Sequence, residues 1–165
     1  MMKLVPLPSA LPMRHPAALI STWFGAGLIR PAPGTIGSLI ALVLGWGILT
    51  VGGQLLLMVD IIIILIVGAW AADIYGKADK SHDSSSIVVD EVVGQWIALM
   101  TMPQTLLGYV VAFAAFRFYD ILKPWPVGYI DKHVKGGGGV MLDDVLAGIY
   151  ALAIVFLVEY WGLVG

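Results

Sequence analysis

Long apolar runs separated by short charged segments limit what this chain can fold into. It has nine Lys and Arg and eleven Asp and Glu residues, and eighteen of these lie in residues 1–35, 73–91, 117–135 and 143–144. The intervening runs approach the roughly 20 apolar residues that a helix needs to cross hydrocarbon. With 59% hydrophobic residues and a mean hydropathy of +0.93, the chain is too apolar for a soluble domain. The sequence therefore predicts an integral membrane protein with its charges gathered at one membrane face.

The apolar runs predict an all-α bundle of about five membrane-embedded helices, arranged as two hairpins plus a C-terminal helix. The pair Gly52-Gly53 separates two runs and predicts the first hairpin. A longer run is interrupted around Pro103, which favours a second hairpin over one long helix because proline lacks a donor N–H. The runs cover residues 36–51, 54–72, 87–116 and 145–164.

The distribution of basic residues supports this topology. We expect one domain over residues 1–165, with residues 1–30 forming a cytoplasmic or interfacial arm. If both hairpins form, all nine Lys and Arg residues lie on one side, and the opposite turns carry none. By the positive-inside rule that side is cytoplasmic. The sequence thus predicts a multi-pass protein whose charged segments face the cytoplasm.

Composition also excludes several classes of function. The chain has no cysteine, which rules out disulfides, thiolate metal sites and a cysteine-nucleophile phosphatase. Its basic residues form no run that could face a nucleic acid, so no nucleic-acid partner is expected.

Two adjacent carboxylate pairs are candidate metal ligands. Asp90 and Glu91 lead into an apolar helix, where charge is costly unless a cation pairs with it. The alternative is that they only favour the helix start through its macrodipole. Asp143 and Asp144 follow the glycines at 136–139, which predict a flexible loop able to approach an anion. Paired hard-oxygen ligands suit Mg²⁺, although one of the two aspartates could be merely a helix N-cap.

A third constellation combines cations with a carboxylate. Arg117, Asp120 and Lys123 are spaced three apart and share roughly one helical face until Pro124 ends the helix. The two cations of such a stripe can bind a phosphate, because the arginine guanidinium group matches the geometry of phosphate oxygens. The carboxylate between them can serve as a metal ligand. The alternative is an interfacial ion triad that satisfies itself. Thr35 is a natural N-cap for the first membrane helix.

Three strings in matching order resemble the phosphatidylglycerophosphatase A family of bacterial membrane lipid phosphatases. They are residues 33–39, residues 82–91 beginning with His82 and Asp83, and residues 116–148. The resemblance implies a Mg²⁺-dependent hydrolase of phospholipid biosynthesis, which removes the terminal phosphate of phosphatidylglycerophosphate to give phosphatidylglycerol. It also implies the bacterial cytoplasmic (inner) membrane, with the active site facing the cytoplasm. Arg30 departs from the family pattern, where a small or apolar residue is expected.

The residues and the resemblance together give a site hypothesis. We expect one group of carboxylates to hold Mg²⁺ and a metal-bound water: Asp90, Glu91, Asp143 and Asp144. Asp120 is expected to be a further ligand or the base, and a carboxylate nucleophile stays open as an alternative to water. The residues expected to bind the phospholipid substrate are Arg117, Lys123, Thr35 and His82.

Two other classes of function stay open at this point. A small cation transporter would use intramembrane carboxylates, but here they cluster at one face and leave the midplane nearly uncharged. An enzyme resembling the CDP-alcohol phosphotransferases would need four aspartates spaced along two successive helices, and that spacing is absent from the sequence.

Overall fold

The computed structural model describes residues 2–80, 84–102 and 104–163, so His82 and Pro103 lie outside the described residues. Within those ranges the chain is helical apart from two short strands, as the sequence predicts. The helices are α1 Pro16–Ser21, α2 Pro33–Asp79, α3 Val89–Ala98, α4 Leu106–Leu122, α5 Val127–His133 and α6 Gly137–Tyr160, with a 3-10 turn at Ala26–Leu28. The strands are β1 Lys3–Leu4 and β2 Ile29–Arg30.

The long helix α2 is a hairpin rather than one straight rod. Gly53 has non-helical angles, φ 66 and ψ -164, and divides α2 into a first and a second arm. A Cβ added to Gly37 would lie 2.9 Å from Val88, and one added to Gly68 would lie 3.1 Å from Val89. A straight helix would hold these two glycines about 46 Å apart at its rise of ~1.5 Å per residue. The arms therefore run antiparallel, with the turn at the predicted glycine pair.

Two helices, α2 and α6, are long and apolar enough to cross a membrane. Large apolar side chains are exposed along α2, including Val43, Val51 and Leu55, which fits a lipid-facing surface. By contrast, α3 has 10 residues and spans about 15 Å. The chain is thus all-helical with two apolar helices that indicate membrane association, and the five-helix membrane bundle stays a prediction.

One element boundary agrees with the sequence-based expectation and one differs from it. Helix α4 continues to Leu122, just before Pro124, so Arg117 and Asp120 both lie on it as expected. Helix α6 begins at Gly137 rather than at residue 145. The prediction of a flexible glycine loop is therefore wrong. Gly137 and Gly139 are buried helical residues, and a Cβ on either would overlap a backbone carbonyl of a neighbouring segment.

The N-terminal segment, predicted as an arm, is folded against the bundle. Strands β1 and β2 pair antiparallel, with Lys3 opposite Arg30. The Arg30 guanidinium donates to the carbonyl oxygen of Gly27 at 2.9 Å, to the Ser85 carbonyl at 3.2 Å and hydroxyl at 2.9 Å, and to the Ser86 hydroxyl at 3.0 Å. Because residues 84–88 lead directly into α3, the N-terminal segment fixes where α3 begins.

The core of the protein surrounds α3, which packs against both arms of α2 and against α6. Val92, Val93 and Trp96 are buried there. The Trp96 indole N–H donates to the carbonyl oxygen of Ala41 at 2.8 Å, so the polar end of a buried aromatic ring is satisfied across the helix interface. The short helix α3 is thus held on every side, and its N-terminal turn has a fixed position.

Replacing Arg30 by alanine should destabilise the protein, because three hydrogen bonds to Ser85 and Ser86 before α3 and one to Gly27 are lost together. We expect the free energy of unfolding to fall by about 1.5–3 kcal/mol, the range for hydrogen bonds to a charged group. The measurement is the thermal midpoint in detergent micelles. Arg14→Ala is the matched control, since Arg14 is an exposed arginine of the same segment. Equal midpoints for the two variants would contradict the assigned role of Arg30.

Candidate active site

One cavity of about 350 Å³ collects the sequence-predicted site residues. It opens between the start of α2, the start of α3, the end of α4 and the first half of α6. Every predicted site residue that the structure describes lines it: Thr35, Asp90, Glu91, Arg117, Asp120, Lys123, Asp143 and Asp144. Side chains far apart in the sequence therefore meet at one place, while His82 falls outside the described ranges.

Three carboxylates form a compact cluster in this cavity. Asp90 and Glu91 lie in the first turn of α3, and Asp144 lies within α6. One oxygen from each of the three side chains lies within 4.8 Å of the others. Oε2 of Glu91 and Oδ2 of Asp144 are buried without a hydrogen-bond partner among the described residues. Unpaired buried anions are strongly unfavourable, so this cluster fits a bound cation, and its all-oxygen donor set suits Mg²⁺.

Small residues explain how α3 and α6 come close enough to form the cluster. A Cβ on Gly94 would lie 2.7 Å from the carbonyl oxygen of Asp144, and one on Gly148 would lie 2.6 Å from the carbonyl oxygen of Gly94. Real Cβ atoms do not approach backbone that closely. Glycine at both positions therefore lets the two helix backbones touch beside the carboxylates, as small residues do in membrane helix packing.

Arg117 connects the carboxylate cluster to α4 and to the first arm of α2. Its Nη1 lies 2.5 Å from Oδ2 of Asp120 and 4.0 Å from Oε1 of Glu91, and it donates to the Ser38 hydroxyl at 3.4 Å. A Cβ on Gly34 would overlap Glu91 and would lie 3.2 Å from the same Nη1. The Nε of Arg117 is buried and has no partner within the described part of the chain. The guanidinium lines the cavity, where its positive charge can attract an anion.

Lys123 does not join Arg117 and Asp120, so the self-satisfied triad considered from the sequence is not formed. Lys123 caps α4 in the left-handed region with φ 45, and its Nζ lies 2.5 Å from Oδ1 of Asp131 and 2.6 Å from Oδ2 of Asp143. Burial by itself lowers the pKa of Lys123, but the two carboxylates outweigh it and raise the pKa above its usual value. The ammonium group therefore stays protonated at neutral pH.

Asp143 and Asp144 have different partners although they are adjacent. Successive residues of a helix point roughly 100° apart. Asp144 consequently joins Asp90 and Glu91, while Asp143 pairs with Lys123. Three of the four predicted metal ligands therefore lie together, whereas the fourth, Asp143, forms an ion pair with Lys123. The alternative that one of these aspartates is an N-cap is wrong, because α6 already begins at Gly137.

Thr35 lines the cavity, but its predicted N-cap role is wrong. Helix α2 begins at Pro33 with Ala32 as the capping residue, which leaves Thr35 inside the first turn. Asp90 and Glu91 do lie in the first turn of α3, so the favourable macrodipole position considered from the sequence accompanies the cluster.

No site role for Asp131 was predicted from the sequence. Asp131 lies on α5, a short helix that was not predicted, and its contact with Lys123 depends on the chain turning back after α4. Its position within the string 116–148 was the available signal. From the sequence, Ser38 could face either the backbone or the site, and the structure shows both contacts. Its hydroxyl donates to the carbonyl oxygen of Gly34 at 2.8 Å and accepts from Nη1 of Arg117 at 3.4 Å.

Comparison with known proteins identifies the family of this chain. Residues 19–159 match the family model described as phosphatidylglycerophosphatase A. The Haemophilus influenzae phosphatidylglycerophosphatase A is 41% identical over 148 residues, which cover 89% of this chain and 91% of that protein. The Escherichia coli protein of the same name is 36% identical over 157 residues, covering 94% and 91%.

A third relative carries another name. A Bacteroides thetaiotaomicron protein, provisionally named phosphatidylinositol-3-phosphatase, is 38% identical over 162 residues, covering 93% of this chain and 96% of that protein. No solved structure matches the chain significantly. Since the family match extends over most of the sequence and includes every residue of the carboxylate cluster, the chain belongs to the phosphatidylglycerophosphatase A family of phosphatases.

Proposed function

We propose that this protein hydrolyses the terminal phosphomonoester of phosphatidylglycerophosphate, giving phosphatidylglycerol and inorganic phosphate. The observation that carries the proposal is the cavity in which three clustered carboxylates face Arg117. Two relatives that share most of their length with the chain are named for this activity. Family membership favours a phosphatase over the cation transporter and the CDP-alcohol phosphotransferase that the sequence left open.

The reaction exchanges one oxygen–phosphorus bond for another. A water oxygen forms a bond to phosphorus while the bond between phosphorus and the lipid glycerol oxygen breaks. The glycerol oxygen takes up a proton, so the products are an alcohol and inorganic phosphate. The Arg117 guanidinium, which lines the cavity, can neutralise phosphate charge, and the Asp120 carboxylate, 2.5 Å from its Nη1, keeps it oriented. Positioning and charge neutralisation of this kind provide most of the catalysis in phosphoryl transfer.

We infer that Mg²⁺ is held by Asp90, Glu91 and Asp144. The unpartnered Oε2 of Glu91 and Oδ2 of Asp144 support this inference, because a bound cation would satisfy both buried oxygens. When bound, the ion would neutralise phosphate charge and make a water more acidic. Asp143, expected from the sequence to be a fourth ligand, is proposed instead to hold Lys123 at the cavity wall, at 2.6 Å.

We further propose a multi-pass arrangement in the bacterial cytoplasmic membrane, with the cavity facing the cytoplasm. Antiparallel arms of α2 place Gly53 at the end away from the cavity, which Gly34 and Thr35 line at the other end. All the Lys and Arg residues then belong to segments on the cavity side, as the positive-inside rule requires for a cytoplasmic face.

Neutralising any member of the carboxylate cluster should abolish most of the phosphatase activity. We expect Asp90→Asn, Glu91→Gln and Asp144→Asn each to lower kcat by about 100-fold or more, because metal catalysis contributes several kcal/mol. The assay is phosphate release from phosphatidylglycerophosphate in mixed micelles, with folding checked by thermal midpoint. Asp79→Asn is the control, since Asp79 is exposed and lies outside the cavity. Near-normal turnover in the cluster variants would overturn the site assignment.

Mg²⁺ should also stabilise the folded protein, because it binds the native cluster and not the unfolded chain. At about 100 times its Kd the stabilisation should approach ~2.7 kcal/mol, seen as a higher thermal midpoint than in EDTA. Glu91→Gln should lose most of this shift. Asp79→Asn should keep it. An equal shift in Glu91→Gln and the unmodified protein would show that Mg²⁺ binds elsewhere.

Cysteine labelling tests the topology cleanly, because the chain has no cysteine of its own. We expect Val51→Cys and Gln104→Cys to react with an impermeant maleimide in intact cells. Gly138→Cys should react only after the membrane is permeabilised. These sites tolerate a side chain, since Val51 is 86% exposed and a Cβ on Gly138 would meet nothing within 4 Å. Labelling of Gly138→Cys from outside would contradict the proposed orientation.

A further inference from the structure

A second cavity, about 380 Å³ in volume, lies between the end of α2 and the start of α6. Half of its lining consists of small residues, Ala72 and Gly76 from α2 and Gly136 and Gly137 from α6. A Cβ added to Gly137 would overlap the carbonyl oxygen of Ala69, so the start of α6 lies directly against α2 beside the cavity. This cavity shares no lining residue with the carboxylate cavity.

Three lysines give this cavity its charge, and we call it the lysine cavity: Lys77, Lys80 and Lys135. All three are exposed. The lining also holds one carboxylate, Asp73, whose Oδ2 lies 2.5 Å from Nζ of Lys77. Within residues 2–80, 84–102 and 104–163, Lys80 and Lys135 form no ion pair. The lysine cavity therefore has more positive than negative charge and favours an anionic ligand.

The lysine cavity lies at the depth of the lipid headgroups in the proposed membrane arrangement. The apolar run of residues 54–72 ends at Ala72, which is the first lining residue along the chain. Trp70 precedes it by two residues and is 49% exposed, and tryptophan is enriched where hydrocarbon meets the headgroups. Lipid phosphates lie at this level, so they can reach the lysines without leaving the bilayer.

Apolar side chains continue from the lysine cavity toward the membrane interior. Ile66 is 65% exposed and precedes Asp73 by seven residues, so the two lie on one face of α2, about 10 Å apart along its axis. Leu142 on α6 is 41% exposed. A Cβ on Gly68 would lie 3.0 Å from Cε of Met141, which places Ile66 and Leu142 at similar depths on neighbouring helices. A lipid with its phosphate at the lysines would therefore have an acyl chain against apolar residues.

We propose that the lysine cavity binds the phosphate of an anionic phospholipid, at a site separate from the catalytic cavity. The inference goes beyond the proposed function and uses only the proposed membrane orientation. Basic pockets between membrane helices at the cytoplasmic face bind anionic headgroups, because the cytoplasmic leaflet carries negative surface charge. An ammonium group attracts a phosphate as a point charge, so flexible lysines can hold a phosphodiester without a fixed geometry.

A lipid held here would link two elements of the fold close to the catalytic cavity. Lys80 follows the last residue of α2 and Lys135 precedes α6, so one phosphate between them would connect the two helices. Val134, the residue before Lys135, lines the catalytic cavity. The bound lipid would therefore steady the turn that leads into α6, the helix that carries Asp144.

Lipid selectivity beside the lysine cavity tests the proposal. The chain has no cysteine, so Ile66→Cys can carry a single fluorophore at an exposed position on the same face of α2. The labelled full-length protein is reconstituted in phosphatidylcholine vesicles that contain either phosphatidylglycerol or phosphatidylcholine with a nitroxide quencher on the acyl chain. We expect the phosphatidylglycerol to bind beside the fluorophore about fivefold or more tightly than the phosphatidylcholine.

Replacing the three lysines together should remove this preference. In the variant Lys77→Gln, Lys80→Gln, Lys135→Gln, we expect the ratio of the two association constants to fall below about twofold. The matched control, which should keep the preference, removes three exposed basic residues outside the cavity: Lys3→Gln, Arg14→Gln and Lys132→Gln. Thermal midpoints check that both variants are folded. The double variant Lys80→Gln, Lys135→Gln leaves the ion pair between Asp73 and Lys77 intact and should lower the ratio as well.

Three outcomes would overturn the proposal. An equal loss of preference in the lysine variant and the control would show general attraction between basic residues and the anionic leaflet. A preference that survives in the triple and double lysine variants would place the lipid elsewhere, including the catalytic cavity. Relief of the quenching by inorganic phosphate would show a site for a free anion rather than for a lipid.

Discussion

The contact between the backbones of α3 and α6 is the constraint on which the site depends. Gly94 and Gly148 let the two helices touch, and the carbonyl oxygen of Asp144 packs against Gly94. The Asp144 side chain thereby reaches Asp90 and Glu91. Three acidic groups at such distances repel one another, and the partners that the described residues provide do not offset this fully. The close packing of α3 on α6 therefore also forms the carboxylate cluster that we propose to hold Mg²⁺.

The two cations beside this cluster, Arg117 and Lys123, are each held in position by carboxylates outside it. Arg117 is held mainly by Asp120, and Lys123 is held between Asp131 and Asp143. A side-chain cation without these partners would pair with the cluster and occupy the place proposed for the metal and the phosphate. Carboxylates outside the cluster therefore keep positive charge at the cavity wall while leaving the centre available.

The helical class and the glycine turn in α2 could be predicted because they depend on local signals, and eight of the residues that line the cavity could be predicted from their charge and their motifs. Apolar runs predict membrane helices. Charged residues within them are energetically unfavourable unless they pair with other charges or with a bound ion, so they indicate a functional site. The division of roles between Asp143 and Asp144 could not be predicted, since it depends on the rotation of α6 relative to α3. The partner of Lys123 was missed because α5 is too short to show a hydrophobic period. The glycines at 136–139 were misread as a loop, since composition alone does not separate flexibility from close packing.

The order of the cluster residues along the chain has a consequence for biosynthesis. Asp90 and Glu91 are contributed by α3, whereas Asp144 belongs to the last described helix. A nascent chain that has emerged only through α4 contains two of the three acidic groups. It lacks α6, which supplies the third group and one wall of the cavity. With the proposed site, hydrolysis requires α6 to be synthesised and docked, so a partly translated chain would lack activity on the surrounding lipids.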